Sequence, residues 1–162
     1  MRKNKFLNKL KREGKLEFVE CSEEICDSYL EKADNCLISA KILFKNYLYE
    51  NSVSMSYYAM YNSLVALLFK SGIKSENHNA SILLLKLLYN NKELFNIISK
   101  AKKERIDKQY YITDEEVDIT KESTQQLVSD AEDFLLKMKL IIKKIKNKEI
   151  DGLREDFIRV IG

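Results

Sequence analysis

Two side chains in this 162-residue chain are placed to do chemistry by type and position, Arg105 and His78. Arg105 breaks a pattern. Leu94, Ile98 and Ala101 recur at helical spacing, and Arg105 takes the next place in that apolar stripe. An inward guanidinium must be paired or must face a cleft, because burying it alone is costly. Its permanent charge and planar fork suit a phosphate. Lys100, Lys102 and Lys103 on the same stretch extend the positive field along a nucleic-acid backbone. The plainer alternative is an arginine paired with an acid such as Glu104 or Asp107. His78 is the sole histidine. It falls near a predicted helix start, where the dipole favours the neutral ring. It serves either as a capping or turn residue or as an acid–base group.

A single histidine also excludes chemistry. A di-iron bundle needs two Glu-x-x-His motifs, and a zincin needs two histidines one helical turn apart. Gly14, Gly72, Gly152 and Gly162 are isolated, so no glycine-rich phosphate loop exists. Cys21, Cys26 and Cys36 are odd in number and lack C-x-x-C spacing. Cys36 sits among apolar helical positions as a small hydrophobe. With no signal peptide ahead of them, a reducing cytoplasm is expected. No metal site and no cofactor is expected.

The elements that position these residues are helical. The chain has no proline, and apolar residues recur at helical spacing almost throughout. Residues 51–69 contain no charge although 33% of the chain is charged. They are not a membrane span, because serines, Asn62 and three central tyrosines have no place in lipid. As a helix, Val53, Tyr57, Met60, Tyr61, Leu64, Leu67 and Leu68 form one stripe, while Tyr58, Val65 and Phe69 lie on the far side. Such a helix is central in its domain or is shared with a subunit interface, in which case Tyr58, Val65 and Phe69 meet a second copy. Gly72 ends it as a C′ residue.

Ser22 with Glu23 and Glu24 predicts the start of the preceding helix. That helix runs to about Asn46 with Ile25, Tyr29, Ala33, Cys36, Leu37, Ala40, Leu43 and Phe44 inward, and it pairs with the central helix as an antiparallel hairpin. A third helix is predicted over residues 80–89 and a fourth over about 92–109. A last long helix, capped by Thr120, turns Leu127, Ala131, Phe134, Leu135, Met138, Ile141, Ile142 and Ile145 inward. The expected organisation is a basic extension or short helix over 1–20, with Phe6, Leu7 and Leu10 on one side. A helical bundle over 21–147 comes next, then a tail over 148–162 with room for one short helix. The net charge of +3 implies no partner by itself, although residues 1–15 carry seven Lys/Arg against Glu13 alone.

The run from Ser28 to His78 resembles the HEPN domain (higher eukaryotes and prokaryotes nucleotide-binding). Ala33, Leu37, Ala40 and Leu43 match its A-x-x-x-L-x-x-A-x-x-L helix. Ser54, Tyr57, Tyr58, Ala59, Met60 and Tyr61 match its tyrosine helix, and Gly72 and His78 match the glycine and nearby histidine beyond that helix. "RIDKQY", Arg105 to Tyr110, matches its arginine segment. The resemblance implies an all-α, up-and-down bundle of four to five main helices that dimerises. It is closest to stand-alone prokaryotic members paired with a minimal nucleotidyltransferase as toxin and antitoxin. Active toxins of the family are metal-independent endoribonucleases with an R-x(4–6)-H motif. Here Tyr110 stands where that histidine is expected, and a tyrosine, with a reference pKa of about 10, is a poor base at neutral pH. The catalytic candidates are Arg105 and Tyr110, then Asp107 and His78. The partners expected are RNA or a nucleotide, a second copy, and the nucleotidyltransferase, with no membrane. The alternative is a non-catalytic nucleotide- or partner-binding module.

Overall fold

The computed structural model describes residues 4–110 and 120–161, with the side chains of 107–110 outside the description. Among the described residues the order is α1 (Lys5–Arg12), β1 (Leu16–Phe18), α2 (Glu23–Lys45), α3 (Tyr49–Lys70), β2 (Ile73–Ser75), α4 (His78–Leu87), α5 (Lys92–Tyr110), α6 (Lys121–Lys144) and α7 (Asn147–Ile161). The fold is the expected all-α bundle. Four long helices, α2, α3, α5 and α6, carry it, and α3 packs against the other three.

Local chemistry sets the boundaries. Ser22 Oγ accepts from the Ile25 amide at 3.1 Å, and Thr120 Oγ1 accepts from the Ser123 amide at 3.0 Å, so both predicted caps form. Gly72 follows the C-cap of α3 with φ of +69°. A Cβ there would lie 2.7 Å from the Val19 carbonyl oxygen, so the position needs glycine twice over. The third predicted helix is shifted toward the N-terminus. Asn77 Oδ1 accepts from the Ala80 amide at 3.0 Å and starts α4 at His78, and Asn90, at φ of +49°, separates α4 from α5.

The stripe predicted on α2 is out of phase at its first turn. Ile25 is 39% exposed, and Cys26 is buried in its place. Burial pushes the Cys26 thiol up to about 11, with Asp27 adding to it, so it is an inert packing residue. The described residues begin and end with helices, α1 and α7. Leu7 and Leu10 of α1 are buried while Phe6 is 40% exposed. The Asn4 amide donates to the Val160 carbonyl at 2.8 Å and ties α1 to α7.

The two strands had no signal in the sequence. β1 and β2 pair antiparallel, with Leu16 opposite Ser75 and Phe18 opposite Ile73. Three residues are too few to show the alternation of a strand. Arg154 of α7 lies 4.8 Å above the Phe18 ring and braces β1 from outside. The consequence is functional, because β2 leads straight into His78.

Within the single chain the uncharged segment forms the central helix, α3. Its first stripe is buried, and so are Ala59, Val65 and Ala66 on the far side, with Tyr58 and Phe69 half-buried. No helix among the described residues is long and apolar enough to cross a membrane.

Candidate functional site

Tyr57 and Tyr61 lie one turn apart on α3, so their rings share a face. The rings stack at 6.0 Å between centroids and 17° between planes. Tyr58, the next residue round the helix, has its ring 5.5 Å from that of Tyr57. Two side chains from other elements settle on this platform. His78, in the first turn of α4, shares a 2.7 Å hydrogen bond through Nδ1 with the Tyr57 hydroxyl. Its ring stacks on Tyr61 with 3.8 Å between centroids. Arg105, from α5, donates from Nη1 to the Tyr58 hydroxyl at 2.7 Å. Its guanidinium carbon lies 5.2 Å from the centroids of both the Tyr57 and Tyr58 rings.

The Tyr61 hydroxyl has a polar neighbour of its own. Ser81, one turn along α4, donates to Ser75 Oγ at 2.9 Å and lies 3.4 Å from the Tyr61 hydroxyl. Ser75 is the end of β2, so the sheet, the tyrosine helix and α4 meet at this point.

The electrostatics favour a neutral imidazole. Burial lowers the His78 pKa first, and the positive charges of Arg105 and Lys102 lower it further. Burial raises the Tyr57 pKa well out of reach; Tyr61 and Tyr58 add to this while Arg105 opposes it. Tyr57 is therefore a neutral hydroxyl. Such a hydroxyl can donate to a bare Nδ1 or accept from a protonated one, so it serves the ring in either charge state.

Arg105 has no ion pair among the described residues, and its buried Nε–H has no hydrogen-bond partner there. Glu104, the neighbouring acid, faces Lys100 at 3.9 Å instead. Lys102 bonds Asn79, next to His78, and its pKa is lowered by burial and then by Arg105. Lys103 is exposed. The side chains of Asp107 and Tyr110 lie outside the described residues. Tyr58, Val65 and Phe69, expected at a subunit contact, line one groove together with Tyr29, Tyr61 and His78. Among the described residues no group of three His, Cys, Asp or Glu is arranged to hold a metal ion.

The family model of the HEPN domain matches residues 26–146. The chain belongs to the HEPN domain family. It is 34% identical over 128 residues to a protein of Methanocaldococcus jannaschii named "Putative toxin MJ0605", an overlap covering 76% of this chain and 92% of that one.

In this HEPN protein the sole imidazole, His78, comes near Arg105 through the packing of α3, α4 and α5. His78 is 27 residues before Arg105 in sequence, yet both meet Tyr57, His78 through its hydroxyl and Arg105 over its ring. Sequence reasoning named Arg105 and His78 separately and assigned Tyr57 and Tyr61 to the core alone. The available signal was three tyrosines in a helix where leucine or phenylalanine would have filled the core. A buried hydroxyl asks for a partner.

Proposed function

We propose that this chain is a toxin-like HEPN protein that acts on RNA. Arg105 holds the phosphate and His78 moves the proton. The observation that carries the reading is the approach of Arg105 and His78 to the same ring, Tyr57, and the likeness to the protein named "Putative toxin MJ0605" supports it. The step is an attack of a ribose 2′-oxygen on the adjacent phosphorus. A neutral His78 with Nε2 bare takes the 2′-OH proton while Nδ1–H donates to Tyr57 Oη. The 2′-O–P bond forms and the P–O5′ bond breaks. The 5′-oxygen leaves with a proton returned by the imidazolium, and the products are a 2′,3′-cyclic phosphate and a 5′-hydroxyl end. Arg105 stabilises the charge that gathers on the phosphoryl oxygens. In this reading the protein works as a homodimer that presents two such sites. The exposed Ile38, Ile42, Leu136 and Leu140 on α2 and α6 leave apolar surface available for self-association. A minimal nucleotidyltransferase encoded beside it holds it in check.

A second reading has its own support. The Tyr57 bond and the Tyr61 stack also describe a histidine fixed for structure, in a module that binds RNA, a nucleotide or the nucleotidyltransferase without cutting. Incubating the pure protein with RNA in the presence of a chelator separates the two. Cleavage that leaves cyclic phosphate ends and is lost in His78→Gln supports the enzyme. Binding without cleavage, unchanged in that variant, supports the module. A neighbouring gene with a G-S-x(10)-D-x-D motif supports the pairing with a nucleotidyltransferase in either form.

A further inference from the structure

We propose that Arg154 is a positioning residue for His78. The first and last described helices, α1 and α7, form a clasp around β1, and β1 holds the β2–α4 link that carries the imidazole. This rests on the proposed role of His78 in moving a proton and adds what sets the place of the ring. α1, β1 and α7 all lie outside residues 26–146, so the clasp is an addition to the span that the family model matches.

The end of β2 nearest His78 needs outside support. Ile73 is fully buried, whereas Lys74 and Ser75 are half-buried, so the core anchors only the start of the strand. Backbone bonds to the β1 segment hold the rest. Ser75 pairs with Leu16, and the Glu76 amide donates to the Lys15 carbonyl at 2.9 Å. Ser75 Oγ accepts from Ser81 Oγ at 2.9 Å and so joins β2 to α4. A two-stranded ribbon this short is not stable alone, so β1 must itself be fixed.

α7 fixes it. Phe157 is fully buried and meets the Phe18 ring edge-on at 4.9 Å. Arg154, one turn earlier, stands over the same ring and donates from Nη1 to the Val19 carbonyl at 3.4 Å. That Nη1 occupies the space where a Gly72 side chain would begin, so one guanidinium touches both β1 and the turn into β2. Arg154 is half-buried and has no ion pair among the described residues, unlike Arg159 on the same helix, which pairs with Asp156 at 3.1 Å. α1 closes the clasp. The Asn8 side chain donates to the Ile161 carbonyl at 2.6 Å, and the Lys15 amide donates to the Leu10 carbonyl at 2.9 Å, which leads the chain into β1.

The test follows the single imidazole by nuclear magnetic resonance in Arg154→Met of the full chain, which keeps the stem over Phe18 and removes the fork. The His78 ring resonances are expected to shift or broaden. RNA turnover is expected to fall about ten- to a hundred-fold, the scale of a small misplacement caused from afar, with RNA affinity within about two-fold of the parent. Arg159→Met, a control on the same helix, should leave both readouts at the parent's values. Unmoved His78 resonances in Arg154→Met overturn the proposal, and so does an equal shift in Arg159→Met, which would mean general loosening of α7. A ring that moves while RNA turnover holds keeps the clasp and overturns the catalytic reading of His78. If the parent does not cut RNA, that reading fails and the resonance comparison still decides the clasp. Should Arg154→Met fail to fold, Asn8→Ala takes its place, with the same ring shift expected and an unmoved ring overturning the proposal.

Discussion

Between Ser52 and Ser63 the central helix buries four serine hydroxyls and the rings of Tyr57 and Tyr61, whereas between Leu64 and Leu68 it buries only hydrocarbon side chains. Both stretches are largely buried, but they are held by different physics. In the apolar half any side chain of similar volume and shape contributes similarly, since burial is non-directional. In the polar half most groups have a particular partner, although the buried Ser56 Oγ has none among the described residues. Ser52 Oγ donates to the Ala40 carbonyl at 2.8 Å, Ser63 Oγ to that of Met60 at 2.7 Å, and the tyrosine hydroxyls engage His78, Arg105 and Ser81. One half fixes the fold. The other fixes where Arg105 and His78 stand.

The comparison breaks most visibly in the apolar half. Leu67 is fully buried, so Leu67→Ala should cost about 2–5 kcal/mol, read from the urea midpoint. RNA action at a temperature where the variant is folded should persist. Arg105→Ala should show the reverse pattern. RNA cleavage or binding should fall by about 100-fold or more, while the melting temperature stays close to that of the parent. The Tyr58 hydroxyl that loses its donor is only half-buried and can turn to water. Unfolding of that variant, or full activity, would return Arg105 to a structural role.

Tyr57→Phe tests the boundary between the halves. It keeps the ring and removes the bond to His78 Nδ1, so a stability loss of about 1 kcal/mol is expected by chemical denaturation. The imidazole also loses its orientation. RNA turnover should fall with little change in RNA affinity, a split that a purely structural tyrosine would not produce.

The long helices were readable because periodicity, the Ser22 and Thr120 caps and Gly72 all report local chemistry that the sequence states directly. What was not readable is what crosses between elements. Ile25 and Cys26 differ by one position on α2, and packing chose the cysteine as the inward residue. β1 and β2 join residues nearly sixty apart through three residue pairs, which leaves no local trace. At the site, the sequence marked Arg105 by its break in a stripe and His78 by being alone. Their common neighbour, Tyr57, is a long-range fact that comes from how α3, α4 and α5 pack. The tyrosine-rich composition of α3 hinted at partners without naming them.

The smallest effect expected is on pH, and it reports most directly on the polar half. Burial, then Arg105 and Lys102, depress the His78 pKa below its ordinary 6.5, so the folded ring is neutral at pH values where the unfolded ring has begun to take a proton. The sign comes from linkage. The stability tied to the neutral ring is complete above the unfolded value, declines as pH falls below about 6.5, and stops declining once the folded ring is protonated too. His78→Gln should flatten that part of the stability curve. A nuclear magnetic resonance titration of the single imidazole should place its midpoint below 6.5 in the parent. In Arg105→Ala the midpoint should move part of the way back up, because one positive neighbour is gone while burial remains. Catalysis, if His78 is the base, should keep its ascending pH limb below the ordinary histidine range and track the same shift in the variant. A parent midpoint at or above the ordinary value would mean that the ring is solvated and paired differently. Tyr57 would then not be what brings Arg105 and His78 together.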